Sequence, residues 1–242
     1  MPRDLRFPFA FARGTDLIDT VIFDVDGTLA ETEEVHRRAF NRTFADFGLG
    51  WVWDEALYRE LLGVTGGKER IAHFVARAGG APLEPEFVAA MHARKTAFYT
   101  EMVRAGEIAL RPGIGDFLAQ LKERGLALAI ATTTTPANVE ALLGAALGAD
   151  WRKMFPVVAA GDMVERKKPA PDVYLLALSL LGRKAESCVA VEDSRNGVRS
   201  ALAAGLRVIA VRSAYCDSDF TGASAQLPDC AGLSLELLDS LA

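Results

Sequence analysis

With 242 residues, 50% of them apolar and 24% charged, the chain can bury one large core, or a core and a small satellite domain, and is too apolar to be disordered. Its net charge of -5 and pI near 5.3 exclude a nucleic-acid-binding face or a polybasic membrane patch, since both need clustered Lys and Arg in excess. A small anion held by a few local cations is compatible with that balance.

In chain order, Met1 to Gly14 mixes Arg, Phe and Pro without a continuous apolar stretch or a small-residue cleavage site. Residues 1–16 therefore read as a flexible extension rather than a secretory signal. No later run reaches the roughly 18 apolar residues of a membrane span, and a cytoplasmic protein is expected. Thr20 to Phe23 is a short apolar run that fits a strand buried on both faces. From about Glu33 to Glu107 the pattern is helical: Val35 to Phe47, Asp54 to Leu62, Glu69 to Arg77 and Pro85 to Arg104. Arg111-Pro112-Gly113 marks the return. Thereafter strand-like runs at Leu126 to Ala131, Phe155 to Ala160, Ser187 to Val191 and Leu206 to Val211 alternate with helical patterns at Ile114 to Arg124, Ala137 to Leu147, Asp172 to Leu181 and Val198 to Ala204. The alternation implies an α/β fold, a doubly wound parallel sheet, with a helical lid inserted after the first strand. The core is then 1–31 with 108–242, and the helical cap 32–107. Cys188, Cys216 and Cys230 are odd in number and lack metal or redox spacing, which points to a reducing compartment without a disulfide framework.

The most specific local signal is Phe23-Asp24-Val25-Asp26-Gly27-Thr28, an apolar strand ending in two carboxylates. Residues two apart in extended chain point the same way, so Asp24 and Asp26 can meet one ligand at the strand edge where open α/β sheets bind. Their repulsion calls for a cation, and Mg²⁺ is the natural one. Taken alone, this pair reads equally well as a solvated turn or helix cap. Three further elements shift that balance: Thr132 after the strand Leu128 to Ala131, Lys168 at a helix entry, and Glu192-Asp193 after Ala190-Val191. Singly, Thr132 could be an N-cap and Lys168 a solvated lysine.

In this order and spacing, the four elements resemble the four motifs of the haloacid-dehalogenase superfamily, a likeness running from Asp19 to about Val211. The resemblance implies a Rossmann-like core and phosphoryl transfer to Asp24 as nucleophile, with Asp26 as general acid/base. It implies Thr132 and Lys168 on the phosphoryl oxygens. Mg²⁺ would be held by Asp24, the carbonyl of Asp26, Asp193 and Glu192. Each role suits its chemistry: a carboxylate attacks without first losing a proton, and the transfer itself needs positioning and charge neutralisation.

A lid straight after the first motif, entered through Glu31-Thr32-Glu33, resembles the subgroup of β-phosphoglucomutases, phosphoglycolate phosphatases and CbbY-type phosphatases. The segments Thr28 to Glu34, Thr65 to Arg70 and Ala131 to Thr134 carry the CbbY likeness, which implies hydrolysis of xylulose 1,5-bisphosphate to xylulose 5-phosphate. By that likeness Glu33, Tyr58, Gly66, Gly67, Lys68, Glu69, Arg70 and Lys95 contact substrate from the lid. Thr133, Thr134, Arg195 and Asn196 do so from the core. His36 falls where β-phosphoglucomutases place a lid histidine near the acid/base, although an exposed lid-helix residue reads equally well. Lys68 and Arg70 also follow two glycines at a helix start, a place that attracts anions, and could hold a second phosphate away from Asp24. The first cation after Leu62-Gly63-Val64 comes later than in the mutases, which disfavours a mutase cycle. A β-phosphoglucomutase-type isomerase and a phosphoglycolate phosphatase remain the alternatives. The expected partner is a small phosphorylated sugar, with no nucleic acid or membrane, and a monomer is expected.

Overall fold

The computed structural model of the protein describes residues 18–215 and 219–242. The flexible-extension reading and Cys216 therefore lie outside the described residues. Six parallel strands, β1 Thr20–Phe23, β2 Ala127–Ala131, β3 Val157–Ala159, β4 Cys188–Glu192, β5 Arg207–Val211 and β6 Ala225–Leu227, form one sheet in the order β3-β2-β1-β4-β5-β6. The apolar runs are continuous because both faces of the sheet are covered. On one face Val21, Phe23, Ile130 and Val191 pack against α5 Ile114–Arg124 and α6 Pro136–Leu147. On the other, Ile22, Ala129 and Ala190 meet α8 Asp172–Leu181 and α9 Arg195–Ala203. The short α7 Trp151–Met154 and the terminal α10 Leu235–Ser240 add Trp151 and Leu238 to the first face.

Four strands sit within a residue of the sequence pattern, and Phe155–Ala160 narrows to β3. The sixth, β6, carries no signal of its own: it is a three-residue edge strand, partly exposed, with Gln226 at its centre. Caps move the helix starts. Ser194 accepts from the N–H of Gly197 at 3.0 Å and opens α9 at Arg195, three residues before the apolar spacing begins.

Between β1 and α5 the chain makes α1 Glu33–Asp46, α2 Glu55–Leu61, α3 Gly67–Arg77 and α4 Pro85–Arg104. These helices enclose their own aromatic core, with Phe40, Phe44, Trp53, Tyr58 and Met91 all fully buried. The chain leaves and re-enters the core domain side by side: Ala30 bridges both Asp26 and Leu110. The N–H of Arg111 donates to Leu29 O at 2.9 Å. Among the described residues no helix is long and apolar enough to cross a membrane. Cys188 and Cys230 are buried thiols.

Candidate active site

The C-terminal ends of β1, β2 and β4, the three central strands, converge. Asp24 extends β1, its N–H donating to Val191 O at 3.1 Å, and its side chain is buried. After Asp26 the chain turns through Gly27, whose φ of +78° is open only to glycine at low cost. A Cβ there would also stand 1.9 Å from Asp193 Oδ2, so the turn is closed to any side chain. From β2, Thr132 takes the N–H of Thr134 on its hydroxyl at 3.2 Å, while Thr135 caps α6. The capping role that Thr132 might have had thus falls to Thr135, leaving Thr132 on the cavity wall.

Lys168 is enclosed and gives its three N–H groups to three acceptors: Asp24 Oδ1 and Glu192 Oε1, each at 2.6 Å, and Ala131 O at 3.0 Å. Burial alone would lower its pKa, but the two carboxylates win and hold it above the ordinary lysine value. Asp24 is pushed up to about 8, by burial first and by Glu192 and Asp26 next, against the pull of Lys168. Burial and the charges of Asp24 and Glu192 likewise raise Asp193 well above the carboxylate range.

Ligand oxygens of Asp24, Glu192 and Asp193 lie within 4.8 Å of one another. Two buried carboxylates driven towards protonation are a donor set that a hard cation would relieve, so the residues fit a divalent ion with oxygen preference. Glu192, the third carboxylate of this group, is also tied to Lys168. It ends β4 and reaches towards α8. Its Oε1 accepts from Lys168 and from Tyr174 Oη at 2.7 Å, and its Oε2 from the N–H of Asp193 at 3.2 Å. Glu192 anchors Lys168 from behind, whereas Asp24 and Asp193 line the cavity. Asp26 keeps its carboxylate away from this cluster.

That carboxylate is held by the cap. Asp26 Oδ1 accepts from Thr32 Oγ1 at 2.6 Å and pairs with His36 Nε2 at 3.0 Å. The other ring nitrogen of His36 meets Lys95 Nζ at 2.6 Å, and the imidazole stacks on Tyr99 at 4.1 Å. With Lys95 as an ammonium donating to an unprotonated Nδ1, the His36 proton would sit on Nε2, pointing at Asp26. Burial and Lys95 lower His36, in keeping with a neutral ring. Burial pulls Lys95 down to about 7. Burial would raise Asp26, but His36, Thr32 and Lys95 outweigh it and hold the carboxyl below the usual range.

A cavity of about 340 Å³ lies between cap and core, lined by Asp24, Asp26, Thr132, Thr133, Thr134, Lys168, Asp193, Arg195 and Asn196 from the core. Glu33, His36, Gly66, Gly67, Arg70 and Lys95 face it from the cap. Three expected contacts do not line it. Tyr58 is fully buried and donates its hydroxyl to Glu33 Oε2 at 2.7 Å, so it steadies Glu33. The Glu69 carboxylate folds back over Gly66, where a Cβ would sit 2.1 Å from Oε2. Lys68 reaches across to Asp162 of the core, 3.6 Å away. The reason is the helix start at Gly67: residues two apart are turned by about 200°, so Lys68 and Arg70 cannot share a wall.

Wall residues without a separate sequence signal include Arg59, His92, Asn138, Arg199 and Tyr215. Only His92 left a trace, since a Cβ on Gly67 would come 2.5 Å from its Nε2 and Gly67 is what admits it.

The chain belongs to the haloacid dehalogenase-like hydrolases, whose family model it matches over residues 18–205. It is 52% identical over 226 residues to protein CbbY of Cereibacter sphaeroides, covering 90% of this chain and 98% of that one. To the plasmid CbbY of Cupriavidus necator it is 50% identical over 217 residues, covering 87% and 85%. A crystal structure of a CbbY variant from Rhodobacter sphaeroides in complex with xylulose 1,5-bisphosphate superposes with a TM-score of 0.86 at 52% identity, over 90% of this chain and 97% of that one.

Proposed function

We propose that the protein is a Mg²⁺-dependent phosphatase that converts xylulose 1,5-bisphosphate to xylulose 5-phosphate through an aspartyl-phosphate on Asp24, with residues 32–107 acting as its cap. The observation that carries the reading is the pairing of two poles across one cavity: Asp24 with Lys168 at the core, and Arg70 on the cap wall. That pairing suits a molecule with two phosphates, and the solved CbbY relative was captured with one such molecule.

Asp24 has one oxygen engaged by Lys168, which leaves the other to attack phosphorus. The incoming phosphate's negative charge raises Asp26 so that it takes up a proton from solvent on Oδ2. The P–O bond to the sugar then breaks as the Asp24–phosphorus bond forms, and Asp26 gives that proton to the departing sugar oxygen. Water then attacks the same phosphorus, Asp26 takes back a proton, and phosphate leaves Asp24. Thr132 and Lys168 hold the phosphoryl oxygens through both steps. Asp24, Asp193 and the carbonyl of Asp26, with Glu192 beside them, would hold Mg²⁺, which would supply the positive charge needed to bring two anions together. Thr32 and His36 fix Asp26 through Oδ1, so Oδ2 is the oxygen for proton exchange.

Phosphate release from xylulose 1,5-bisphosphate with Mg²⁺ tests the reading, with β-glucose 1-phosphate and phosphoglycolate alongside. One equivalent of phosphate with xylulose 5-phosphate as product is expected; a rearranged sugar phosphate without release would instead make the protein an isomerase. Arg70→Met should lower kcat/KM for the bisphosphate by about one to two orders of magnitude, the worth of one charge-assisted phosphate contact. A small monoester should change far less, and Lys68→Ala should leave both alone. Equal loss on mono- and bisphosphate with Arg70→Met would remove the distal-phosphate role.

A further inference from the structure

Arg111 is a buried cation outside the reacting cluster, with only 7% of its side chain exposed. It stands where the chain re-enters the core domain from the cap. One guanidinium arm donates to Gly27 O, in the turn that follows Asp26, and the other to Arg212 O, just past β5. Its Nε lies 3.2 Å from Glu31 Oε1, on the chain leaving for the cap. Glu31 in turn accepts from the N–H of Ala214 at 3.3 Å. The turn it grips is compact: Gly27 N–H donates to Ala30 O at 2.8 Å, and Asp26 and Ala30 are bridged.

One side chain therefore joins four segments: the turn carrying Asp26, the outgoing crossing, the returning crossing and the loop after β5. A hinge that needed only filling could use an apolar residue, since taking a charge out of water is costly. A guanidinium adds a planar fork that fixes several acceptors relative to one another. The acceptors fixed here are those that decide where Asp26 sits relative to the cap residues holding it, Thr32 and His36.

We infer that Arg111 is a positioning residue for proton transfer: it locks the Asp26 turn to both cap crossings, so that seating the cap and aligning the acid/base are one event. The inference rests on the reading of Asp26 as acid/base, and not on the identity of the sugar.

The test compares leaving groups in the phosphorylation step, measured as the single-turnover burst with Mg²⁺. A sugar phosphate must be protonated as it leaves, whereas p-nitrophenolate departs without help. Arg111→Gln should slow the burst with the sugar phosphate by about tenfold to a hundredfold, a part of what general acid catalysis supplies. With p-nitrophenyl phosphate the loss should stay within about fivefold, a small share of that same acid contribution. Asp26→Asn should show the same contrast more steeply. Arg111→Lys, which keeps the charge beside Glu31, should recover part of the loss. Glu31→Gln changes an exposed partner without emptying the buried site, and should give the same contrast in weaker form; it carries the test if Arg111→Gln does not fold. Equal losses on both substrates, or a change in KM alone, would show a merely structural residue and overturn the inference. Failure of wild type to form a burst with either substrate would defeat the phosphatase reading first, and this inference with it.

Discussion

Asp24→Asn should remove turnover, by at least about four orders of magnitude, while making the metal-free protein more stable at neutral and alkaline pH. The loss follows from the nucleophile, because an amide cannot form the acyl phosphate. The gain follows from the site's electrostatics. Burial, with Glu192 and Asp26 nearby, pushes Asp24 up to about 8 from an ordinary value of 3.8. A carboxyl whose folded-state pKa is raised stabilises the fold fully below its unfolded value, and that contribution drains away as pH climbs towards 8. In chelator, wild type should therefore lose thermal stability between pH 5 and pH 8, and the Asn variant should show a flatter profile. Lys168 keeps a partner in the variant, since Glu192 Oε1 stays 2.6 Å away. Turnover within tenfold of wild type would refute the nucleophile, and parallel pH profiles would refute the electrostatic account.

Removal of divalent ions should be as severe. Excess chelator should abolish phosphate release, and Mg²⁺ should restore it without Zn²⁺, because the donor set consists of hard carboxylate oxygens. Stability supplies a second readout independent of turnover. Protons and the cation compete for Asp24 and Asp193, both raised by burial and mutual repulsion. The rise in Tm on adding Mg²⁺ should thus be larger at pH 8 than at pH 5. Undiminished activity in chelator, or the same rise at both pH values, would contradict this assignment.

Much of the site was legible because it stands on strand ends. A run buried on both faces is hard to mistake, and a polar residue directly after it has few places to go: Asp24, Thr132 and Asp193 all follow such runs and all line the cavity. Glu192 has a second duty that its position alone does not announce: at the end of β4 it also receives Lys168 and Tyr174. Lys68 stands apart from Arg70 for a helical reason. With α3 begun at Glu69, Lys68 belongs to a loop free to reach inward, but the start at Gly67 turns it away from Arg70 and towards Asp162. Arg59, Arg199 and Tyr215 were illegible for a different cause. Nothing in their own neighbourhoods marks them; they become wall residues only because cap and core approach, with Arg59 donating to Ala214 O at 2.7 Å and Tyr215 to Glu34 at 2.8 Å. The edge strand β6 and the short α10 fell below what hydrophobic patterning can register.

The strand order also fixes when, during synthesis, each part of the molecule can come into being. The cap helices find their main partners in one contiguous stretch ending at Arg104, with α1 lying along α4. The strand β1, made long before, has no neighbour until Ala127 emerges on one side and Cys188 on the other. Asp24 must wait for Lys168 and then for Asp193, more than 140 residues behind it, as the 144-residue separation from Lys168 shows. Closing a loop that long costs entropy before any contact repays it, so pairing of this kind is slow relative to local helix packing. A ribosome therefore releases first a lid with nothing to cover, and an apolar first strand that is left unpaired until about half of the chain has been made. The catalytic centre, the first segment of the family signature to be translated, is among the last to exist.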